Sequence, residues 1–546
     1  MVDILLIQPP IADFYLTAKR TIPYGLASIA AAAAREGFSV AILDALATGK
    51  SRIITPPEAM GDLAAFYGRA DRSPFGLFHH FRHFGYSLEH IGRQVKASGA
   101  FLVGIASLFT AYSDMALAVA RTAKASQPDC TVALGGHHPT TLPAAVMAEP
   151  AVDFVLRGEG EVGLPALATA LNVGGSLAGV PGIVYRNADG SLHIGEPALC
   201  RDPNQLPLPA FGLIRRRFYQ RSGRDSIVVT AGRGCPLKCS YCATGAESWM
   251  GFRKRSVAAV LREIRAASAG RQVGFVDFED ENLTMDRRWF LELMEGVRDI
   301  FGDALPELRA MNGLFPPTLN EAVVRAMKMT GFKALNLSLG SADPGQLKRF
   351  NRPDVRDAFN RALDYAQREG LSAVGYILVG APDQDPLSSV DDLLFLARRK
   401  VLAGVSVFYP APGSADYERC RALGLLPASY SRMRATALPI DQRTSRTDSV
   451  TLLRLGRLLN FMKYLETAGV PIPRPAPAGN HVAPSLERLQ VGLKLLAAFL
   501  YDGGIRGLEP DGTVYDHRVS TTLCRRFRKG LPGVRAVRSP PPLRSR

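Results

Sequence analysis

Three cysteines, Cys235, Cys239 and Cys242, lie on one short stretch, Gly232-Arg233-Gly234-Cys235-Pro236-Leu237-Lys238-Cys239-Ser240-Tyr241-Cys242, at the spacing C-x3-C-x2-C. Three thiolates on one loop can hold three irons of a four-iron cubane and leave the fourth iron open. An open iron can take the amino and carboxylate groups of S-adenosylmethionine (SAM) and pass an electron to its sulfonium. The glycines around the loop permit close backbone approach. Zinc fits less well, because structural zinc wants four ligands, usually in paired C-x2-C units, and no second pair occurs. The other cysteines, Cys130, Cys200, Cys420 and Cys524, are scattered. They form no secreted disulfide framework and read as buried thiols.

The loop must be positioned by what surrounds it. From 226 to 425 apolar strands, predicted at 227–230, 273–278, 308–311, 334–339, 373–379 and 405–409, alternate with helical patterns such as 257–268 and 387–400. Six such units suggest a partial barrel open on one side, with its active face at the carboxyl ends of the strands. The cysteines follow the first strand directly and so belong to that face. Residues 1–170 carry an earlier alternating series, with strands at 4–7, 39–43, 102–106, 131–134 and 154–156. Between the first two, Pro23-Tyr24-Gly25-Leu26 opens an alanine-rich helix ending at Gly37. This is the pattern of a doubly wound parallel sheet, whose ligands bind beyond the carboxyl ends of the strands. Gln8-Pro9-Pro10, Ser107–Thr110 and Gly135–Thr140 are the loops at that edge.

The α/β reading divides the chain into 1–175, with an insertion at 45–90, then 176–222, 223–425, a mainly helical 426–530, and a tail at 531–546. The insertion is aromatic, with Phe78-His79-His80-Phe81-Arg82-His83-Phe84. It is either a lid over the ligand edge or a cover packed on the next domain. His79, His80 and His83 are its candidates for substrate or cofactor contact. Residues 182–185 and 191–194 flank a turn and read as a hairpin. Further on, 452–465 reads as an amphipathic helix, and Ser485 is expected to cap a second helix reaching about 501.

Hydrophobic residues make up 47% of the 546, no apolar run is long enough to span a membrane, and the start lacks the basic region of a signal peptide. A cytoplasmic enzyme is expected. The net charge is +16. Much of it is terminal, in Arg525, Arg526, Arg528, Lys529, Arg535, Arg538, Arg544 and Arg546, which with Ser539-Pro540-Pro541-Pro542 suits a disordered basic tail. Such a tail can bind RNA or an anionic surface. A solvated tail is the simpler account, and no nucleic-acid partner is expected.

The cysteine loop resembles that of radical SAM enzymes, which share C-x3-C-x-aromatic-C. The resemblance implies a [4Fe–4S] cluster on Cys235, Cys239 and Cys242, SAM as cosubstrate, and Tyr241 near the adenine. It continues through Phe278-Glu279-Asp280-Glu281-Asn282, which implies a SAM contact at Asp280, and through Ser338-Leu339-Gly340-Ser341 and Lys348-Arg349-Phe350-Asn351-Arg352. Ser338 is implied there, and Gly340 stands where the family often has Glu. Gly375-Tyr376-Ile377-Leu378-Val379-Gly380 resembles the adenine-binding stretch and implies Gly380. Tyr409-Pro410-Ala411-Pro412-Gly413-Ser414 resembles the strand-six loop.

The N-terminal region is similar to the Rossmann-like cobalamin-binding domain of one radical SAM subfamily. It matches at Gln8-Pro9-Pro10, Pro23-Tyr24-Gly25-Leu26, Ser107-Leu108-Phe109-Thr110, Gly135-Gly136-His137-His138-Pro139-Thr140 and Gly158-Glu159-Gly160-Glu161. Gln8, Ser107, Thr110, Gly135, Gly136 and His137 are the implied cobalamin contacts. No Asp-x-His-x-x-Gly follows the first strand, so no imidazole is expected on cobalt from that loop. The implied activity is methyl transfer to an unactivated carbon of a small molecule, with electrons from a donor such as flavodoxin or ferredoxin. An oxidative cyclisation or rearrangement on the same cofactors is the alternative. RNA methylthiotransferases carry three further cluster cysteines in an N-terminal domain, whereas the first cysteine here is Cys130. A non-catalytic corrinoid carrier would not need the intact triad.

Overall fold

A computed structural model describes residues 1–14, 22–78, 80–246 and 249–531. Ile4–Gln8, Val40–Asp44, Leu102–Ala106, Thr131–Gly135 and Phe154–Leu156 form the expected parallel sheet. Alternation along Ile4–Gln8 sends Ile4 and Leu6 toward Leu26, Ala30, Leu164 and Leu167 of the helices Tyr24–Arg35 and Gly160–Val173. Leu5 and Ile7 go the other way, toward Ile91, Val95, Val119 and Ala123 of Leu88–Ser98 and Ser113–Ser126. Burial on both faces is why these strands are apolar throughout. Ile4–Gln8 lies between Val40–Asp44 and Leu102–Ala106, so the winding reverses at Gln8 and Ser107. Doubly wound sheets bind ligands at that crevice. The hairpin Ile183–Arg186 and Leu192–Ile194 does not stand apart as a separate element of 176–222. It pairs antiparallel with Phe154–Leu156 and extends the same sheet to seven strands.

The second series gives six parallel strands in two sheets of three. One holds Asp225–Val229, Val273–Phe278 and Glu307–Ala310; the other holds Ala334–Gly340, Ser372–Val379 and Leu402–Val407. The sheets join at Leu314, whose N–H donates to Asn336 O at 2.7 Å and whose carbonyl accepts from Ser338 N at 3.0 Å, and Asn336 Nδ2 donates to Ala310 O at 3.3 Å. The last strand is covered rather than left as a bare edge. Asn460, on the helix Arg446–Thr467, accepts from Ala403 N and donates to Ala403 O, both at 2.8 Å, as a neighbouring strand would.

The helices Arg446–Thr467, Arg488–Asp502 and Thr521–Gly530 share the barrel's core through Leu455, Leu495, Phe499 and Phe527. Ser485 does not cap the second of these; Glu487 holds that position. Arg525, Arg526, Arg528 and Lys529, expected in the tail, lie on Thr521–Gly530, where Arg526 pairs with Asp391 and Arg528 donates to Tyr501 O. The rest of the basic tail, from 532, lies outside the described residues.

The insertion is a cover. Met60, Leu63, Tyr67, Phe75, Leu77 and Phe81 join the barrel's core. Phe75 meets Phe461 edge-on at 5.5 Å, Asp62 pairs with Arg432, and Asp71 bonds His517. Of the three histidines singled out there, His83 is buried and bonds Tyr86 O, and His79 is outside the described residues.

Candidate functional site

The short strands Gly232–Arg233 and Arg253–Lys254 pair antiparallel and open the cysteine loop at the carboxyl end of Asp225–Val229. Gly234 has φ +78, and a Cβ there would stand 2.0 Å from Gly251 O. Only glycine fits that turn. The loop's far side is tied to the fourth-strand region: Ser240 N donates to Phe350 O at 2.9 Å and Asn351 Nδ2 to Lys238 O at 2.7 Å. Ser240 Oγ also donates to Asp416 at 2.8 Å.

None of the three thiols is in a disulfide. Burial pushes the Cys235 thiol up, and the nearby thiols of Cys242 and Cys239 and the carboxylate of Glu281 add to this. Among the described residues no three ligating side chains already stand at metal spacing. The fit to a cluster therefore rests on the donor set, three thiols on one anchored loop, which matches three irons of a cubane.

Asp280, the SAM contact that the resemblance implies, binds the main chain of the loop's entry strand. It is buried, and its two oxygens accept from Gly232 N at 2.6 Å and Ala231 N at 3.1 Å. Burial raises its carboxyl to about 7 against those two amides. It is the clasp that holds the loop's entry strand. Asp280→Asn would turn an amide NH2 toward one of the two N–H donors. The expected cost is about 1–3 kcal/mol, the penalty for an unsatisfied buried donor. A urea midpoint lowered accordingly, with weaker iron retention, is the check.

Tyr241 packs edge-on to Phe350 at 5.1 Å and its hydroxyl lies 3.4 Å from Arg352 Nη1. Ser338 Oγ accepts from Arg352 Nη2 at 3.0 Å. Gly380 ends the fifth strand with φ +79, and a Cβ there would reach Ser449 Oγ at 3.0 Å. Three groups not foreseen as site residues are Glu281, beside Cys235; Arg352; and the pair Glu159–Glu161. The acidic pair was legible only as part of a loop motif, because its partners are far away in sequence.

On the N-terminal sheet, Ser107 Oγ is buried and has no hydrogen-bond partner among the described residues. Gly136 has φ +118, and a Cβ there would meet Ser107 O at 2.8 Å and Ser107 C at 2.9 Å. The loops after two neighbouring strands thus touch backbone to backbone, with one hydroxyl left unsatisfied between sheet and edge. This is a cradle suited to a polar nucleotide tail. Gly135 pairs with Leu156 and its carbonyl accepts from Ser107 N; Gln8 O accepts from Ala45 N. Thr110 Oγ1 bonds His138 Nδ1 at 3.2 Å, and burial pushes the His138 imidazole down to about 4, which keeps it neutral. His137 Nε2 lies 3.2 Å from Pro412 O. A carbonyl only accepts, so this nitrogen carries the proton.

These contacts bring the two ligand edges face to face. His137 touches the strand-six loop, His138 meets Tyr430 edge-on at 5.4 Å, and Arg434 pairs with buried Asp13 at 3.1 Å. Beneath the cysteine loop, Arg233 bonds Glu159 at 2.8 Å and Glu161 at 2.6 Å, while Arg253 bonds Glu159 at 2.8 Å. Although burial opposes it, Arg253 and Arg233 hold the Glu159 carboxyl below the usual range. Leu108, Phe109, Met311 and Tyr409 leave large apolar surfaces exposed at the strand ends of the two domains.

The profile of the radical SAM superfamily matches residues 229–395 and that of the B12 binding domain matches 79–168. An uncharacterized methyltransferase of Pyrococcus horikoshii is 27% identical over 358 residues, 64% of this chain and 76% of that protein. The anaerobic magnesium-protoporphyrin IX monomethyl ester cyclase of Rubrivivax gelatinosus is 27% identical over 54% of this chain and 53% of its own length. The fold is shared with the radical SAM methyltransferase TsrM from Kitasatospora setae, solved with cobalamin and a [4Fe–4S] cluster, at a TM-score of 0.58, 16% identity, and coverage of 80% of this chain and 82% of that one.

Proposed function

With a radical SAM domain and a B12-binding domain on one chain as the premise, we propose that this enzyme transfers a methyl group from SAM to an unactivated carbon of a small polar molecule. The observation that carries the reading is the meeting of the two ligand edges through His137–Pro412, with Tyr430, from the segment after the barrel, set against His138. When bound, the cluster and cobalamin supply reductive cleavage of SAM and carriage of a methyl group. The chain's own part is placement. The anchored loop presents Cys235, Cys239 and Cys242 toward the barrel mouth, and the Glu159–Glu161 latch fixes that loop against the B12-binding domain. Neutral His138 adds no charge beside the cofactor.

Polarity of the barrel wall supports the substrate class. Val276 and Phe278 pack outward in the core, so Phe275 and Asp277 face inward by alternation. Arg309 grips Asp277 at 2.8 and 2.9 Å, and Arg221 reaches it at 3.3 Å. An apolar polycycle would strip water from these charges without replacing it. Among the described residues no helix is long and apolar enough to cross a membrane. A cytoplasmic setting with flavodoxin or ferredoxin as donor belongs to the same reading.

Anaerobic reconstitution with iron, sulfide and hydroxocobalamin, followed by SAM turnover, tests it. Both S-adenosylhomocysteine and 5′-deoxyadenosine are expected. Bound corrinoid with 5′-deoxyadenosine alone would favour cyclisation or rearrangement. Because no Asp-x-His-x-x-Gly follows the first strand, the cobalt(II) EPR spectrum is expected to lack histidine nitrogen coupling and to be unchanged in His137→Ala.

A further inference from the structure

Arg352 is buried without a carboxylate. The buried arginines Arg432, Arg434 and Arg454 each have an aspartate within 4 Å: Asp62, Asp13 and Asp71. Arg352 has no ion pair among the described residues, and its Nε has no hydrogen-bond partner. Its Nη1 lies 3.6 Å from Cys239 Sγ and 3.4 Å from the Tyr241 hydroxyl, and its Nη2 donates to Ser338 Oγ at 3.0 Å and to the Ser338 carbonyl. The guanidinium also sits over the Phe315 ring, 5.2 Å from its centroid. Gly340 makes room for it: with φ +82, a Cβ there would meet Arg352 Cδ at 3.2 Å and Nε at 3.3 Å. The position where the family often carries an acid is thus empty of side chain, and a cation fills the space.

A desolvated guanidinium without a counter-ion is costly. Its nearest ionisable sulfur belongs to a cluster ligand. We propose that Arg352 is the countercharge of the cluster site: its hydrogen bond to Cys239 sulfur favours the more negative, reduced cluster and so raises its reduction potential. Net charge and hydrogen bonds to sulfur are the terms that set such potentials. Ser338 and Phe315 hold the guanidinium in place, so a lysine of similar charge cannot serve sulfur and Ser338 together. The proposal rests on the cysteine loop holding a cluster.

The test is a redox titration of the full chain, reconstituted with iron and sulfide in the absence of SAM and followed by EPR, for the wild type, Arg352→Gln and Arg352→Lys. Reduction of Arg352→Gln is expected to be at least tenfold less favourable, a midpoint ~59 mV more negative for one electron. Arg352→Lys shifts the same way by less. If Arg352→Gln holds no cluster while its circular dichroism is unchanged, the shift in Arg352→Lys decides. A wild-type midpoint in whichever variant holds a cluster overturns the proposal. Failure of the wild type to bind iron overturns the cluster reading instead.

Discussion

Cys239→Ala is expected to abolish SAM cleavage, by more than ~10³-fold, the scale on which loss of an essential catalytic group registers. The remaining two thiols cannot hold three irons, so iron bound after reconstitution should fall to background. The effect is chemical rather than structural. Cys239 is a small buried side chain on a loop, and the loop's anchors are main-chain or remote contacts: Asp280 to Ala231 and Gly232, Asn351 to Lys238, and Ser240 to Phe350. None of these needs the sulfur. Far-UV circular dichroism should therefore stay near wild type, and the urea midpoint should fall only by what Arg352 Nη1 loses with its sulfur contact, at most about 1–3 kcal/mol. Cobalamin binding should also survive, because the N-terminal sheet is built around its own two cores, Leu5–Ile91–Val119 on one face and Ile4–Leu26–Leu167 on the other.

Both strand series were legible because their strands are short apolar runs separated by helical periodicity, and burial on two faces leaves no other pattern. Pairing was less visible. Nothing in residues 307–340 announces that the third and fourth barrel strands separate and that Leu314 bridges them, because a ladder is a relation between segments. The insertion was undecided for the same reason. Its aromatic run fits a lid or a cover equally, and the partners that settle it, Arg432, Phe461 and His517, lie hundreds of residues downstream. The hairpin at 183–194 was found but placed outside the sheet it extends.

At the site, the three cysteines were fully legible from spacing. Asp280 was legible as an acid after the second strand, but its hold on the amides of Ala231 and Gly232 was not, because those donors lie 49 and 48 residues upstream. The Glu159–Arg233 and Glu161–Arg233 pairs show the same limit. Opposite charges on two glycine-rich loops carry no sign of meeting until the domains are packed.

Gly136→Ala is expected to produce the converse of Cys239→Ala: cobalamin lost, iron retained. The residue has φ +118 and ψ −173, a region open almost only to glycine, so alanine there costs about 1–3 kcal/mol in backbone strain alone. The new Cβ would also stand 2.8 Å from Ser107 O and 3.2 Å from Leu108 N, and backbone cannot turn aside as a side chain can. Ser107–Thr110 and Gly136–Thr140 would have to part. That moves the unsatisfied Ser107 hydroxyl and breaks the His138 to Thr110 contact, the two features that shape the cradle. Gly25→Ala is the matched control. It makes the same chemical change within the helix Tyr24–Arg35 of the same domain, where a Cβ meets nothing within 4 Å; it should be neutral or stabilising by up to ~1 kcal/mol. Hydroxocobalamin binding followed by visible absorbance, with iron counted on the same samples, separates the outcomes. If Gly136→Ala still binds the corrinoid while Gly25→Ala behaves as wild type, the cofactor does not lie at the crevice between Gln8 and Ser107. The reading of the N-terminal sheet as its seat would then fail, with the cysteine loop untouched.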